Sequence, residues 1–228
     1  MDDAKPADTM CPMPRPTVHG VVAMSLDGKI ATRDRVDVTL SSRADRRFLN
    51  ELRAKSDALV AGAGTIRAVD PPMRVSPRSL IRKKEPLRAV VTRTCLLSPD
   101  LKVFGPGPKT LLFTSEYASP AARKALETVA DVRVSRGIDV AARDVVSALA
   151  ELGAHRIQVE GGGELMWSFL AEDLLDELYV TLCPFMIGGR GAPTPVDGEG
   201  LDDLSLRRAR LVSLRRAGGE LFLRYRLR

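Results

Sequence analysis

Short apolar runs alternate with segments of helical period along most of this chain. "VHGVVAM", from Val18, reads as a buried strand, and it ends at "SLDGKIA", where Asp27-Gly28 supplies turn chemistry. In "SSRADRRFLNELRAK", Ala44, Phe48, Leu49 and Leu52 recur at helical spacing, and Ser42 followed by Asp45 resembles a capping box. "DALVAGAGT" predicts a strand that stops in glycines. A Pro-, Arg- and Lys-rich loop then runs from Arg67 to Pro86, and loops of that length are often functional. "LRAVVT", "TLLFT" and "VRV" are short strands, and Ser119-Pro120 opens a helix between the last two. "DVAARDVVSALAEL" predicts a helix capped by Asp139. "RIQVEGGG" is a strand running into glycines, followed by a helix over 163–172. "DELYVTLCP" alternates like a strand, "MIGGRGAPTP" is a loop, and the end of the chain folds as two strands about Gly218-Gly219.

That order predicts an α/β fold: a central, mostly parallel sheet flanked by helices, with an antiparallel C-terminal hairpin. No internal repeat or linker interrupts residues 17–228, so one domain is expected there, after a flexible tail over residues 1–16 with four prolines. The length of 228 residues and a hydrophobic content of 44% are enough for a real core. With aromatics at 4%, that core must be mostly aliphatic.

The formal charge of +6 favours anionic ligands without choosing one. Cys11, Cys95 and Cys183 are too sparse for a disulfide framework or a zinc site. "MDDAK" is no signal peptide, and no apolar run reaches membrane-span length, so a cytoplasmic protein with no membrane partner is expected. The arginines between Arg207 and Arg228 raise a nucleic-acid reading. Few aromatics accompany them and no binding-module signature is present, so a solvated or inter-subunit edge is the better expectation.

The chemistry concentrates at "VEGGGELMWSFL". Glycines let backbone N–H groups approach an anion, and the helix that follows offers its positive end to phosphate. The spacing is not a dinucleotide fingerprint, because Met166 stands where a third glycine is needed. Nor is it a P-loop, since no Gly-Lys-Ser/Thr follows. His19 and His155 sit in no motif and read as structural or exposed, and no cluster has metal-ligand spacing. Chemistry carried by a bound organic cofactor fits these absences. Asp27 reads as a turn residue or a cleft acid, Glu160 as a strand-end or ligand-binding carboxylate, and Arg53 as a solvated helix residue.

Four stretches in order, "AMSLDGKIA", "LSSRADRRFLNELRAKSDALVAGAGTIRAVDPPM", "VEGGGELMWSFL" and "DLLDELYVTLCPFMIGGRG", resemble the riboflavin-biosynthesis pyrimidine reductases. These form the C-terminal reductase domain of bifunctional RibD/RibG enzymes and also occur as stand-alone proteins. The resemblance spans residues 17–228 and implies a dihydrofolate-reductase-like fold, NADPH as cofactor and a homodimer. It implies reduction of the ribose of a phosphorylated ribosylaminopyrimidine to a ribityl chain. Cofactor positions implied are Ala23, Thr39, Thr65, Thr92, Gly161, Gly162, Gly163, Glu164, Leu165, Met166 and Ser168, with Arg93 added from its charge beside a 2′-phosphate. Substrate positions implied are Asp37, Arg53, Met73 and Glu160, with Arg74 or Arg78 as phosphate anchor, and Asp27 is the candidate for orientation or acid catalysis. Val21, Val69 and Ser76 depart from the family pattern and put the substrate in question. The alternatives are a reductase of another pterin-like or small carbonyl substrate, or a non-catalytic nucleotide- or RNA-binding protein.

Overall fold

The apolar runs become strands covered by helices on both faces, which is why they read as continuous rather than alternating. The computed structural model describes residues 15–35, 40, 42–81, 84–202 and 206–228. The strands are β1 (Thr17–Met24), β2 (Ala58–Gly62), β3 (Leu87–Val91), β4 (Thr110–Ser115), β5 (Ala130–Ser135), β6 (Arg156–Val159), β7 (Glu177–Leu182), β8 (Arg210–Ala217) and β9 (Glu220–Arg226). The helices are α1 (Arg43–Arg53), α2 (Ala63–Val69), α3 (Pro120–Glu127), α4 (Ala142–Glu151) and α5 (Gly163–Ala171). Among the described residues the strands form one sheet, ordered β5-β4-β3-β2-β6-β1-β7-β9-β8. The first seven in that order are mutually parallel, and the hairpin β8-β9 adds to β7 antiparallel. This is the mixed sheet that the alternation of patterns predicts.

α4 and α5 cover one face of the sheet. Val145, Leu149, Met166 and Phe169 are buried there against Val18, Val60, Ile157 and Val159. Each such side chain contributes roughly 1.5–3 kcal/mol of hydrophobic burial. Gly20 on β1 permits the closest contact, since a Cβ there would lie 2.6 Å from the Met166 sulfur. On the opposite face Leu59, Ala61, Ile66, Val90, Leu112 and Leu126 form a second aliphatic cluster under α2 and α3. α1 also lies on this second face, but what it buries includes Asp45 and Arg53 as well as Leu52.

Two helix starts differ from expectation, for one reason. Ser42 does cap α1, its Oγ accepting from the N–H groups of Ala44 and Asp45. The reciprocal half of the box comes from Glu220 on β9, which accepts from Ser42 N at 3.2 Å and Ser42 Oγ at 2.6 Å. Asp45 is instead buried against Thr181, and that burial raises its pKa. Likewise Asp139 does not cap α4. The helix begins later, and Glu172 accepts from Ala142 N at 2.7 Å and Arg143 N at 3.1 Å. Asp139 pairs with Arg93 on the surface. A carboxylate from a distant segment satisfies a helix end as well as a local one does.

The glycine-terminated strand also holds a surprise: α2 starts at Ala63, directly after Gly62, so the expected loop from Arg67 begins only after Val69.

Glu172→Ala should destabilise the fold by about 1 kcal/mol in urea unfolding, by uncapping α4. Asp139→Ala should stay within about 0.5 kcal/mol of the parent.

Candidate active site

β2 and β6 are neighbours and each runs straight into a helix, so two strand-to-helix turns meet at the carboxyl end of the sheet. The turns are stitched by backbone hydrogen bonds from Glu160 N to Val60 O and from Gly62 N to Gly161 O, both 2.8 Å. Crevices at this end of parallel sheets are the usual ligand sites. A cleft of about 170 Å³ opens here, walled by Thr65, Val69, Gly162, Gly163, Glu164 and Leu165.

The glycines divide the work. Gly161 has φ +90°, which only glycine adopts without strain, and its peptide bond to Gly162 is cis. Gly163 must lack a side chain because a Cβ would lie 2.5 Å from the Thr194 carbonyl and 2.6 Å from an Asp197 carboxyl oxygen. Gly162 has room beside it, since the nearest atom to a Cβ built there would be Thr65 Oγ1, 3.4 Å away. Gly162 is also the N-cap of α5 and offers no side-chain cap. α1 and α3 are capped by serines and α4 by Glu172, whereas α2 and α5, the two helices that start at this junction, have no side-chain cap, and the start of α5 opens onto the cleft. Its N–H groups and dipole suit an anionic group there. Arg35 adds a cation at the rim, 3.7 Å from Glu164.

Two loops close the side of the cleft beyond β1 and β7. Asp27 fastens them. Its carboxylate accepts from Ser25 Oγ at 2.6 Å, Ile187 N at 3.0 Å and Gly188 N at 2.6 Å. Leu26 N to Phe185 O and Ile30 N to Pro193 O continue the seam. The Ser25 hydroxyl and then the two backbone donors lower the Asp27 pKa to about 2. A group so strongly ionised has no proton to give at neutral pH, so the acid half of its expected role does not fit, while an orienting role does.

On the far side of Glu160 lies a buried ion pair. Arg53 donates to both Glu160 oxygens, Nε at 2.7 Å and Nη2 at 2.6 Å, with side-chain exposures of 10% and 9%. Burial disfavours the guanidinium charge, but Glu160 outweighs it and raises the Arg53 pKa. Arg53 Nη1 also donates to the Arg74 carbonyl at 2.9 Å, tying the following loop to the sheet. Arg53 is therefore not the solvated residue that its helix face suggests. Met73 is wholly buried in the second aliphatic cluster, at φ +44°, so its side chain shapes the loop rather than facing a ligand. The Arg74 guanidinium is held 3.3 Å from Glu85.

The remaining expected positions scatter. Thr65, Gly162, Gly163, Glu164 and Leu165 line the cleft. Ala23 is half-buried on β1, opposite Thr181. Thr92 is buried, and its Oγ1 accepts from Cys95 N. Arg93 is exposed, 3.6 Å from Asp139 and 5.7 Å from the centre of the Tyr117 ring. Met166 is turned into the core, and Ser168 donates to the Glu164 carbonyl one turn back, so neither side chain faces the cleft. Asp37 and Thr39 lie outside the described residues. Sequence reasoning missed Arg35, Ile30, Pro193 and Asp197 as wall residues. Their signal was only their place in turns next to "SLDGKIA" and "MIGGRGAPTP".

The sheet order and the cleft define a dihydrofolate-reductase-like α/β fold. A dihydrofolate reductase from Enterococcus faecalis, solved with NADP(H), superposes with a TM-score of 0.51 at 13% identity, over 92% of this chain and 95% of that one. A pyrimidine reductase-like protein from Corynebacterium diphtheriae does so at 0.80 and 21%, over 93% and 92%. The RibD C-terminal domain family matches residues 16–223, and the chain belongs to that family. It is similar to the 2,5-diamino-6-ribosylamino-4(3H)-pyrimidinone 5′-phosphate reductase of Archaeoglobus fulgidus, 34% identical over 90% of this chain and 94% of the relative. The identically named protein of Methanothermobacter thermautotrophicus is 35% identical over 84% and 88%.

Gly163→Ala should disturb the cleft, seen as loss of stability and of nucleotide binding, whereas Gly162→Ala should keep the fold. The pH dependence of Asp27 has a definite sign. Its folded pKa is lowered from 3.8 to about 2, so its contribution is complete above 3.8 and is lost as pH falls through 2. Asp27→Asn should thus unfold at lower urea than the parent at pH 7, with the gap closing between pH 4 and pH 2.

Proposed function

We propose that this chain is an NADPH-dependent reductase of riboflavin biosynthesis. Its substrate is the non-deaminated 2,5-diamino-6-ribosylamino-4(3H)-pyrimidinone 5′-phosphate, whose ribose becomes a ribityl chain. The observation that carries this reading is the uncapped, glycine-lined start of α5 at the carboxyl end of the sheet. The names of the archaeal relatives support the diamino substrate over its deaminated form.

NADPH, when bound, supplies the hydride that reduces C1′ of the substrate. The chain's own part is positioning and charge. The first N–H groups of α5 would hold the cofactor's pyrophosphate, with help from Thr65 and Arg35. Arg93, just beyond β3, would pair with its 2′-phosphate, and Ala23 would border its nicotinamide. Asp27 keeps the two loops closed over the reacting end and so limits access of water. Glu160 and Arg53 mark the substrate side, and Arg74, freed from Glu85, anchors the substrate phosphate.

The same reading includes a homodimer in the cytoplasm. Leu211, Val212 and Leu214 are exposed on the edge strand β8, a surface that favours pairing with a second copy. Cys95 and Cys183 are free and buried, which suits a reducing compartment. No helix among the described residues is long and apolar enough to cross a membrane.

Purified protein given NADPH and the diamino substrate should lose nicotinamide absorbance, faster than with the deaminated analogue. NADPH binding with no turnover of either pyrimidine would sink the reading. Gly162→Asp should weaken NADPH binding at least about tenfold, or about 1.4 kcal/mol, with the fold retained. Unchanged affinity would return the glycines to a purely structural turn.

A further inference from the structure

Beneath α1 a row of polar side chains is buried on the sheet: His19 on β1, Gln158 on β6, and Glu160 just beyond it. Gln158 is fully buried, and both ends of its amide are engaged. The end facing Glu160 Oε1, 2.8 Å away, must be the NH₂, because both oxygens of Glu160 are acceptors in the fork of bonds from Arg53. The carbonyl end then faces His19 Nε2 at 3.1 Å, with Ser56 Oγ, whose one proton serves the Leu52 carbonyl at 2.9 Å, lying 3.3 Å away. His19 must therefore carry its proton on Nε2. Its Nδ1 is buried without a partner, as that tautomer leaves it. Burial, then the charge of Arg156, lower the His19 pKa to about 4, so the ring stays neutral near pH 7.

This row is more than packing. A buried polar chain left half-satisfied costs more than an apolar core, so its retention asks for a use. Its terminus is Glu160, the residue before Gly161 and the partner of Arg53, which in turn holds the Arg74 carbonyl. Arg53 alone would grip the carboxylate along a single edge. The Gln158 N–H is a third donor, on Oε1, and it stops the carboxylate from turning with its partner.

We propose that Gln158, with its amide direction set by His19, is a positioning residue that fixes Glu160 and Arg53 for the pyrimidine substrate. This rests on the reductase reading above. It adds residues that touch neither substrate nor cofactor and act through Glu160.

The test is steady-state kinetics on Gln158→Met, whose unbranched side chain has similar length, and on Gln158→Leu should the first fail to fold. The expected result is a substrate KM raised about tenfold or more, with the Kd for NADPH within about twofold of the parent. His19→Leu, which removes the donor to the amide oxygen but leaves the Gln158 NH₂ on Glu160, should fall between the parent and Gln158→Met. An unchanged substrate KM and kcat, with only a lower unfolding temperature, would overturn the inference and leave the row as packing. A parallel loss of NADPH affinity would overturn it too, as general disruption. Parent protein that binds NADPH without turning over the substrate would instead bring down the reductase reading, and this inference with it.

Discussion

The hydrogen bond from Gly62 N to the Gly161 carbonyl holds two strand-to-helix turns side by side. Those turns are far apart in the chain and meet only because β6 inserts between β2 and β1. Without that adjacency the start of α5 would face solvent, and Thr65 would have no glycine opposite it. The close approach explains the residues on both sides. Gly161 takes a left-handed backbone, Gly163 lets the turn at Thr194–Asp197 press against the helix start, and Gly162 is left open to the cleft.

Elsewhere in the fold, carboxylates fasten backbone to backbone. Asp57 accepts from His155 N and Arg156 N, Asp176 from Val18 N, Glu172 from the start of α4, and Asp70 from Lys102 N. Asp27 and Asp197 do the same for the two loops at the cleft. Many acidic groups are thus spent inside the fold, while the arginines of the terminal hairpin, such as Arg210, Arg215 and Arg216, stay outward. The starts of α2 and α5 are the contrast: neither has a side-chain cap, and α5 begins where the family's cofactor is expected.

The ion pair of Arg53 and Glu160 organises the other half of the site. A buried pair gains little over an apolar one in net stability, because desolvation offsets much of the attraction. Its value here is geometric. It joins the end of α1, the end of β6 and the loop at Arg74 through named donors and acceptors.

How much of this was legible in the sequence depended on range. The strands, most helices, the hairpin and the glycine turn were readable, because apolar period and turn chemistry are local properties. The order of motifs also carried the family, while the residues it implied as cofactor contacts divide between the cleft wall and places away from it. Local patterns misled where a partner came from elsewhere: Asp139 looked like the cap that Glu172 provides, and Asp45 like the box residue that Glu220 replaces. Met73 matched a substrate position by alignment, yet the fold buries it, and Arg35 and Asp197 reach the cleft with no motif to announce them. The chain by itself determined which segments are strands, where glycine is required and which chemistry is plausible. Only the tertiary structure decided which carboxylate meets which N–H and which polar residue is buried, because those contacts join residues from different elements of the chain.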